Sequence, residues 1–124
     1  MDDHVPFGRD DAIAYAELLV ASAHAHGLAA AQKNTVELPA EVARDRIGFD
    51  FVVAEECGHW DECQGYVDAY GDHVIAIEYQ RDDFRATCRG FGDRISVVLR
   101  DVDVSMPGSG SYRFALCPGS LADD

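Results

Sequence analysis

The residues best suited to chemistry follow an apolar run near the middle of the chain. Residues 49–53 are aromatic and β-branched apart from Asp50, which is typical of a strand buried on both faces, and Glu55 and Glu56 stand at its carboxyl end. An acid in that position loses hydration unless it has a partner or a task, so it indicates a functional site. The alternative interpretation is that both glutamates are solvated loop acids.

Polar residues also end the other predicted strands. They are Gln32, Lys33 and Asn34 after residues 28–31, Glu78 and Tyr79 at the end of residues 73–79, and Arg100, Asp101 and Asp103 after residues 95–99. Ligands of α/β proteins gather beyond the carboxyl ends of parallel strands, because loops there surround a substrate while the strands hold it rigidly. The pattern therefore predicts one shared site.

The elements that must position these residues alternate along the chain. Helices are predicted over residues 11–26, 39–46, 60–70 and 84–91, each followed by a glycine that can end it. Strands separated by helices indicate parallel βα units, in either a small doubly wound sheet or half of a (β/α) barrel. Strand ends that share a centre favour the barrel, and no glycine-rich phosphate-binding turn follows the first strand.

The charge balance limits the classes of partner that the chain is expected to bind. The chain has 124 residues, with 10 Lys and Arg against 23 Asp and Glu, and a formal net charge of -13. This acidity disfavours nucleic acid and anionic membranes, and it suits a cationic substrate such as a polymer with free amines, although it also favours solubility. The chain has no apolar run of about 18 residues to span a membrane, and its start lacks the features of a signal peptide.

The four cysteines allow two interpretations. Cys57 and Cys63 close a short loop, while Cys88 and Cys117 would tie a helical region to the C-terminal segment. An even number of cysteines suits disulfides. A zinc site is the alternative interpretation, but these spacings lack the paired C-x-x-C signature. No metal and no cofactor are expected. Disulfides without an export signal would be consistent with an N-terminal part missing from this chain.

Several ordered motifs resemble glycoside hydrolase family 114, the endo-α-1,4-polygalactosaminidase-like (β/α) barrels. The matching stretches are GLAAAQKN at 27–34, DFVVAEEC at 50–57 with Cys63, IEY at 77–79 and LRDVD at 99–103. The resemblance covers the C-terminal half of the family's barrel. It implies a partial barrel domain over residues 1–117, with a short tail at 118–124.

The resemblance also assigns roles to residues. Glu55 matches a catalytic carboxylate, and the cysteines match disulfides between Cys57 and Cys63 and between Cys88 and Cys117. The residues expected to bind substrate are Asp2, Lys33, Asn34, Glu78, Tyr79, Arg100 and Asp101. In the family's motifs, Asn and Gln stand where this chain has Ala54 and Glu56, and Lys stands where it has Arg100.

The resemblance implies a secreted hydrolase of a galactosamine-containing polysaccharide. Glycoside hydrolysis needs two carboxylates, and the family's other acidic motif lies upstream, with Asp2 as its last residue. The chain is therefore expected to need a missing N-terminal half barrel or self-association. The alternatives are a non-catalytic carbohydrate-binding half barrel that uses Trp60 and Tyr79, and an oxidoreductase or phosphate-binding domain.

Overall fold

The computed structural model describes residues 6–118, and every structural statement below concerns that part of the chain. Five strands form one sheet in the order β1-β2-β3-β4-β5. The strands are β1 Ala31–Lys33, β2 Phe51–Glu55, β3 Val74–Glu78, β4 Ser96–Arg100 and β5 Phe114–Leu116. The helices are α1 Arg9–Ala25, α2 Cys63–Tyr70 and α3 Arg81–Phe91, and a π-helical segment spans Glu41–Ile47.

The first four strands pair in parallel, in the order in which they occur along the chain. Each pair is joined through a helical segment, because parallel neighbours cannot be connected by a tight hairpin. This arrangement confirms the predicted βα units and is that of a partial βα barrel. The fifth strand, β5, runs antiparallel to β4. None of the strands predicted from the sequence lies in this part of the chain.

The two faces of the sheet differ in burial. One face packs against α2 and α3, and its fully or almost fully buried side chains are Val52, Ala54, Val74, Ala76, Val97 and Leu99. The opposite face carries Phe51, Val53, Ile75, Ile77 and Val98, which are only partly buried. Because successive side chains of a strand alternate between faces, each strand end sends neighbouring residues in opposite directions. This alternation decides which polar residues can reach a common site.

The first strand lies further along the chain than predicted. It was expected at residues 28–31, whereas Ala31, Gln32 and Lys33 pair with β2. Leu28 is 61% exposed, and the buried position of β1 is taken by Gln32. The Gln32 side chain accepts a hydrogen bond from the Tyr70 hydroxyl at 2.6 Å and donates to the Asn34 carbonyl at 2.7 Å. These bonds satisfy a polar residue inside the sheet, at a position that an apolar pattern does not reveal.

The residues that adopt left-handed backbone conformations are of different types at the two ends of the parallel strands. After the helical segments, before the next strand begins, these conformations fall on glycines, as at Gly48 with φ 95°. The others of this kind are Gly27 and Gly71. After the strands, apart from Gly108 in the loop before β5, they fall on residues with side chains, which are Asn34, Thr35, Glu56, Asp61 and Val104. A side chain makes this conformation costly, so backbone strain is concentrated at the carboxyl ends.

Two disulfides form with the pairing that the resemblance implies. Cys57 and Cys63 have Cα atoms 4.8 Å apart and close the loop between β2 and α2. Cys88 and Cys117 have Cα atoms 5.6 Å apart and join α3 to the segment after β5. Both distances lie within the normal range for a disulfide. The boundary predicted at residue 117 remains untested, and most of the predicted tail lies outside the described residues.

Membrane crossing is not supported by any helix among the described residues. None of them combines the length and the apolar character that a transmembrane helix needs.

Candidate active site at the carboxyl end of the sheet

Glu55 is the centre of a hydrogen-bonded group at the carboxyl end of β2. It lies on the partly buried face of the sheet, and its side chain is 33% exposed. One carboxylate oxygen, Oε1, accepts a hydrogen bond from the Tyr79 hydroxyl. The other, Oε2, accepts from the Asn34 amide at 2.9 Å and lies 3.2 Å from the Lys33 ammonium. Three predicted site residues therefore meet at the predicted catalytic carboxylate.

Asn34 holds both the side chain and the backbone of Glu55. Its side-chain oxygen accepts the Glu55 N–H at 2.7 Å, while its amide group donates to the carboxylate. Its own N–H donates to the Val53 carbonyl at 3.0 Å, which continues the pairing of β1 with β2. Asn34 has φ 58°, a conformation that asparagine adopts more readily than most residues. The strand end and the carboxylate are thus fixed by one side chain.

The surrounding donors keep Glu55 ionised. The Tyr79 hydroxyl, followed by Asn34 and Lys33, lowers the pKa of Glu55 below its ordinary value of 4.5. Burial and the neighbouring Glu55 raise the pKa of Tyr79 to about 12, so its hydroxyl remains a donor at neutral pH. A carboxylate with a low pKa suits a nucleophile or a base. It is less suited to a general acid, which must carry a proton near neutral pH.

We expect Tyr79→Phe to raise the pKa of Glu55 toward 4.5, because it removes the largest cause of the lowered value. A lowered carboxyl pKa stabilises the fold above the unfolded-state value, and this contribution is lost as the pH falls through the folded-state value. The variant should therefore lose stability at neutral pH and approach the parent protein in acid. Carboxyl ¹³C NMR titration of Glu55 measures the shift, and the exposed Tyr15→Phe is the matched control. An unchanged Glu55 titration would contradict the assignment.

The predicted residues at the end of β4 form a separate group that holds the loop before β5. Asp101 is 7% exposed and accepts the N–H groups of Ser105 at 2.8 Å and Arg113 at 3.2 Å. These bonds, with that of Ser105 first, hold the pKa of Asp101 well below its ordinary range. The Arg100 guanidinium donates to the Ser105 and Arg113 carbonyls, each at 3.0 Å. No hydrogen bond or ion pair within the described residues joins Arg100 or Asp101 to Glu55.

Glu78 lies away from the Glu55 group. Its side chain is on the helix-covered face with Val74 and Ala76, and it is 0% exposed. The expectation that it lines the cleft does not match its position in this structure. In the register of the sheet, Ile77 is paired with Glu55, so the following residue points to the other face. Asp2, the remaining predicted site residue, lies outside the described residues.

Two residues near this site, Arg113 and His59, were not predicted from the sequence. Arg113 donates from Nη1 to the Tyr79 carbonyl at 2.9 Å, which ties β5 to the end of β3. His59 lies in the disulfide loop, where its Nδ1 is 2.7 Å from Asp83 at the start of α3. The Trp60 ring stands edge-on to His59, with 4.6 Å between ring centroids, and Trp60 is 64% exposed. No local pattern signalled the Arg113–Tyr79 and His59–Asp83 pairs, because each joins residues distant in sequence.

The His59–Trp60 contact predicts a pH-dependent fluorescence signal. Asp83, through its hydrogen bond, raises the pKa of His59 above its ordinary value of 6.5. A protonated imidazole quenches an adjacent indole, and Trp60 is the one tryptophan of the chain. Emission should therefore increase with pH, with a midpoint above 6.5. Asp83→Asn should move the midpoint downward, whereas emission that does not titrate between about pH 5 and 9 would contradict the contact.

The parallel sheet and the carboxylate group at its carboxyl end define the class of this chain as a partial (β/α) barrel with a candidate active site. The family model for glycoside hydrolase family GH114 matches residues 2–122. The chain therefore belongs to family GH114.

A solved structure has the same fold as this chain. It is the crystal structure of Aspergillus fumigatus Ega3 in complex with galactosamine, which superimposes with a TM-score of 0.71 at 18% sequence identity. The superposition covers 94% of this chain and 49% of the Ega3 chain, so the chain spans about half the length of that protein. No curated protein sequence matches the chain significantly.

Proposed function

We propose that this chain supplies Glu55 as a catalytic carboxylate of a secreted glycoside hydrolase that cleaves a galactosamine-containing polysaccharide when the whole barrel is present. The observation that supports this most strongly is the group of three donors around Glu55 at the carboxyl end of the sheet. Family membership supports the reaction class. The disulfides are consistent with an oxidising, extracellular setting.

The role of Glu55 follows from its ionisation. Because its neighbours favour the charged form, Glu55 would act as the nucleophile or the base and not as the proton donor. Its ion pair with Lys33 and its hydrogen bond from Tyr79 would be exchanged for contacts with the sugar as the reaction proceeds. Lys33, Asn34 and Tyr79 would then bind the substrate beside the carboxylate. Arg100 and Asp101 would hold the neighbouring loop, between β4 and β5, at the carboxyl end of the sheet.

The proton donor must come from another carboxylate, at about 5 to 10 Å from Glu55. Among the described strand-end acids, Glu78 faces the helices and Asp101 is engaged by backbone N–H groups. We propose that the donor belongs to the other half of the barrel, at or before Asp2. That half would also cover the partly buried sheet face that carries Phe51 and Ile75.

The proposed substrate carries amines. Ega3 is described in complex with galactosamine, and the net charge of -13 on this chain would attract a cationic polymer. The test is hydrolysis of partly deacetylated polygalactosamine by the chain joined to an N-terminal half barrel. The fully acetylated polymer of the same linkage is the matched control. Release of reducing ends from the first polymer, weakened by salt, is the expected result, and equal cleavage of both polymers would contradict recognition of the amine.

A second candidate function is carbohydrate binding without catalysis. It is favoured by the single carboxylate in the Glu55 group and by the exposed Trp60 on its disulfide-closed loop. Fluorescence of Trp60, titrated with galactosamine oligosaccharides, separates the two functions. Saturable binding by this chain without turnover by the complete barrel would support binding alone. Turnover by the complete barrel would support the hydrolase.

A further inference from the structure

Glu78 is a buried acid that the proposed reaction does not use. It ends β3 and is 0% exposed. Its Oε2 atom accepts the Gly58 N–H at 2.7 Å and a longer hydrogen bond from the Thr87 hydroxyl at 3.5 Å, whereas Oε1 has no hydrogen-bond partner within the described residues. Burying a carboxyl group with one strong donor is unfavourable unless the group serves a purpose.

The backbone at Gly58 lies directly against the Glu78 carboxyl group. A Cβ atom at Gly58 would stand 1.9 Å from the Thr87 hydroxyl oxygen and 2.9 Å from Glu78 Oε2. The contact therefore requires glycine, because any side chain would push the loop away from β3 and α3. The Cys57–Cys63 disulfide closes this same loop, and both its sulfur atoms lie within 4.8 Å of a Glu78 carboxyl oxygen. The carboxyl group thus sits where the loop, β3 and α3 meet.

The surroundings of Glu78 disfavour its charge. Burial raises its pKa above the ordinary value, the Gly58 and His59 N–H groups oppose that shift, and Asp83 and Glu56 add to it. His59, beside Asp83, is the nearby group that can carry a positive charge. What the loop requires from Glu78 is an oxygen that accepts the Gly58 N–H.

Glu78 stands between two residues of β3 and its end that contact the end of β2. Its neighbour Ile77 is paired with Glu55 in the sheet, and the Ile77 carbonyl accepts the Glu56 N–H at 2.7 Å. Its other neighbour, Tyr79, donates to the Glu55 carboxylate. A shift of the end of β3 would therefore disturb both contacts together. The loop that Glu78 anchors begins immediately after Glu56, so it restrains the end of β2 as well.

We propose that Glu78 is a positioning residue, which anchors the Cys57–Cys63 loop through the Gly58 N–H and thereby holds Tyr79 against Glu55. The importance of Glu55 in catalysis rests on the proposed function, but the anchoring itself does not. Glu78 would then act from the helix-covered face of the sheet, opposite Glu55, without contacting the substrate.

The test uses Glu78→Gln and Glu78→Met. Glutamine keeps an acceptor oxygen in the same place, whereas methionine has a similar volume and removes the acceptor. The first measurement is the rate at which dithiothreitol reduces each disulfide, followed by mass spectrometry. Cys57 and Cys63 are buried, at 0% and 2% exposure, so their reduction requires the loop to open.

We expect Glu78→Met to speed reduction of Cys57–Cys63 roughly tenfold, which corresponds to the loss of one buried hydrogen bond. Reduction of Cys88–Cys117 should be unchanged, and Glu78→Gln should stay within about twofold of the parent protein. Equal acceleration at both disulfides would mean general destabilisation and would overturn the proposal. So would a parent-like rate in Glu78→Met, or a fast rate in Glu78→Gln.

The second measurement is ¹³C NMR titration of the Glu55 carboxyl group. Glu78→Met should raise the pKa of Glu55, because the Tyr79 contact weakens, while Glu78→Gln should leave it lowered. A Glu55 pKa unchanged in Glu78→Met would overturn the link from Glu78 to Glu55. Neither measurement uses a substrate, so an inactive barrel would count against the proposed function without affecting this result.

Discussion

Replacing Glu55 with glutamine is expected to lower kcat of the complete barrel by about 10³-fold or more, the order of loss seen when a catalytic nucleophile or base is removed. Glutamine can still accept the Tyr79 hydroxyl, but it can neither attack the sugar nor take a proton. Its hydrogen-bonding geometry is close to that of glutamate, so KM should change little. Initial rates of reducing-end release from partly deacetylated polygalactosamine measure both quantities.

The matched control for this prediction is Glu56→Gln, which removes one negative charge at the next residue. Glu56 is outside the group of hydrogen bonds around Glu55, so this variant should keep most of the activity. Equal losses in the two variants would indicate a general effect of charge on a cationic substrate. Retained activity in Glu55→Gln would refute the catalytic assignment.

Removing the Cys88–Cys117 disulfide is expected to cost about 3 to 4 kcal/mol of the free energy of unfolding. This follows from the entropy of closing a loop with a sequence separation of 29. The bond also ties β5 and the segment after it to α3, so its loss should loosen the edge of the sheet. Urea unfolding of a Cys88→Ala, Cys117→Ala double variant measures the change.

The other disulfide provides the comparison for this measurement. Cys57 and Cys63 are separated by 6 residues, and the same relation gives a cost of about 2 kcal/mol for their removal. The expected order is therefore a larger loss for the longer loop. The reverse order would show that strain or packing, and not loop closure, determines what each disulfide contributes.

The sequence could predict the Glu55 group because its members end neighbouring parallel strands. Lys33, Asn34 and Glu55 each stand at the carboxyl end of a strand, and Tyr79 follows one directly. The same reasoning was misleading for Glu78, since the face to which a residue points depends on register and not only on its place at the end of a strand. The register of β2 with β3 depends on the packing of the whole sheet, and the local sequence pattern does not reveal it.

The remaining differences involve contacts between distant residues. Gln32 is buried in β1 because Tyr70, on α2, supplies a hydrogen bond. The strand β5 is three residues long, and its pairing with β4 is supported by Arg113 and by the disulfide at Cys117. Local periodicity carries no trace of these tertiary contacts.

The uneven distribution of left-handed residues has a consequence for protein engineering. Before the parallel strands these positions are glycines, which adopt a positive φ at little conformational cost. Beyond the strands, Val104 and Glu56 each impose a conformational cost of order 1 kcal/mol or more. We therefore expect Val104→Asn or Val104→Gly to raise the thermal stability of the protein. Val104 lies at the carboxyl end of the sheet and forms no part of the Glu55 group. At the opposite end of the sheet, no residue among those described offers a comparable gain in stability, because the positive-φ positions there are already glycines.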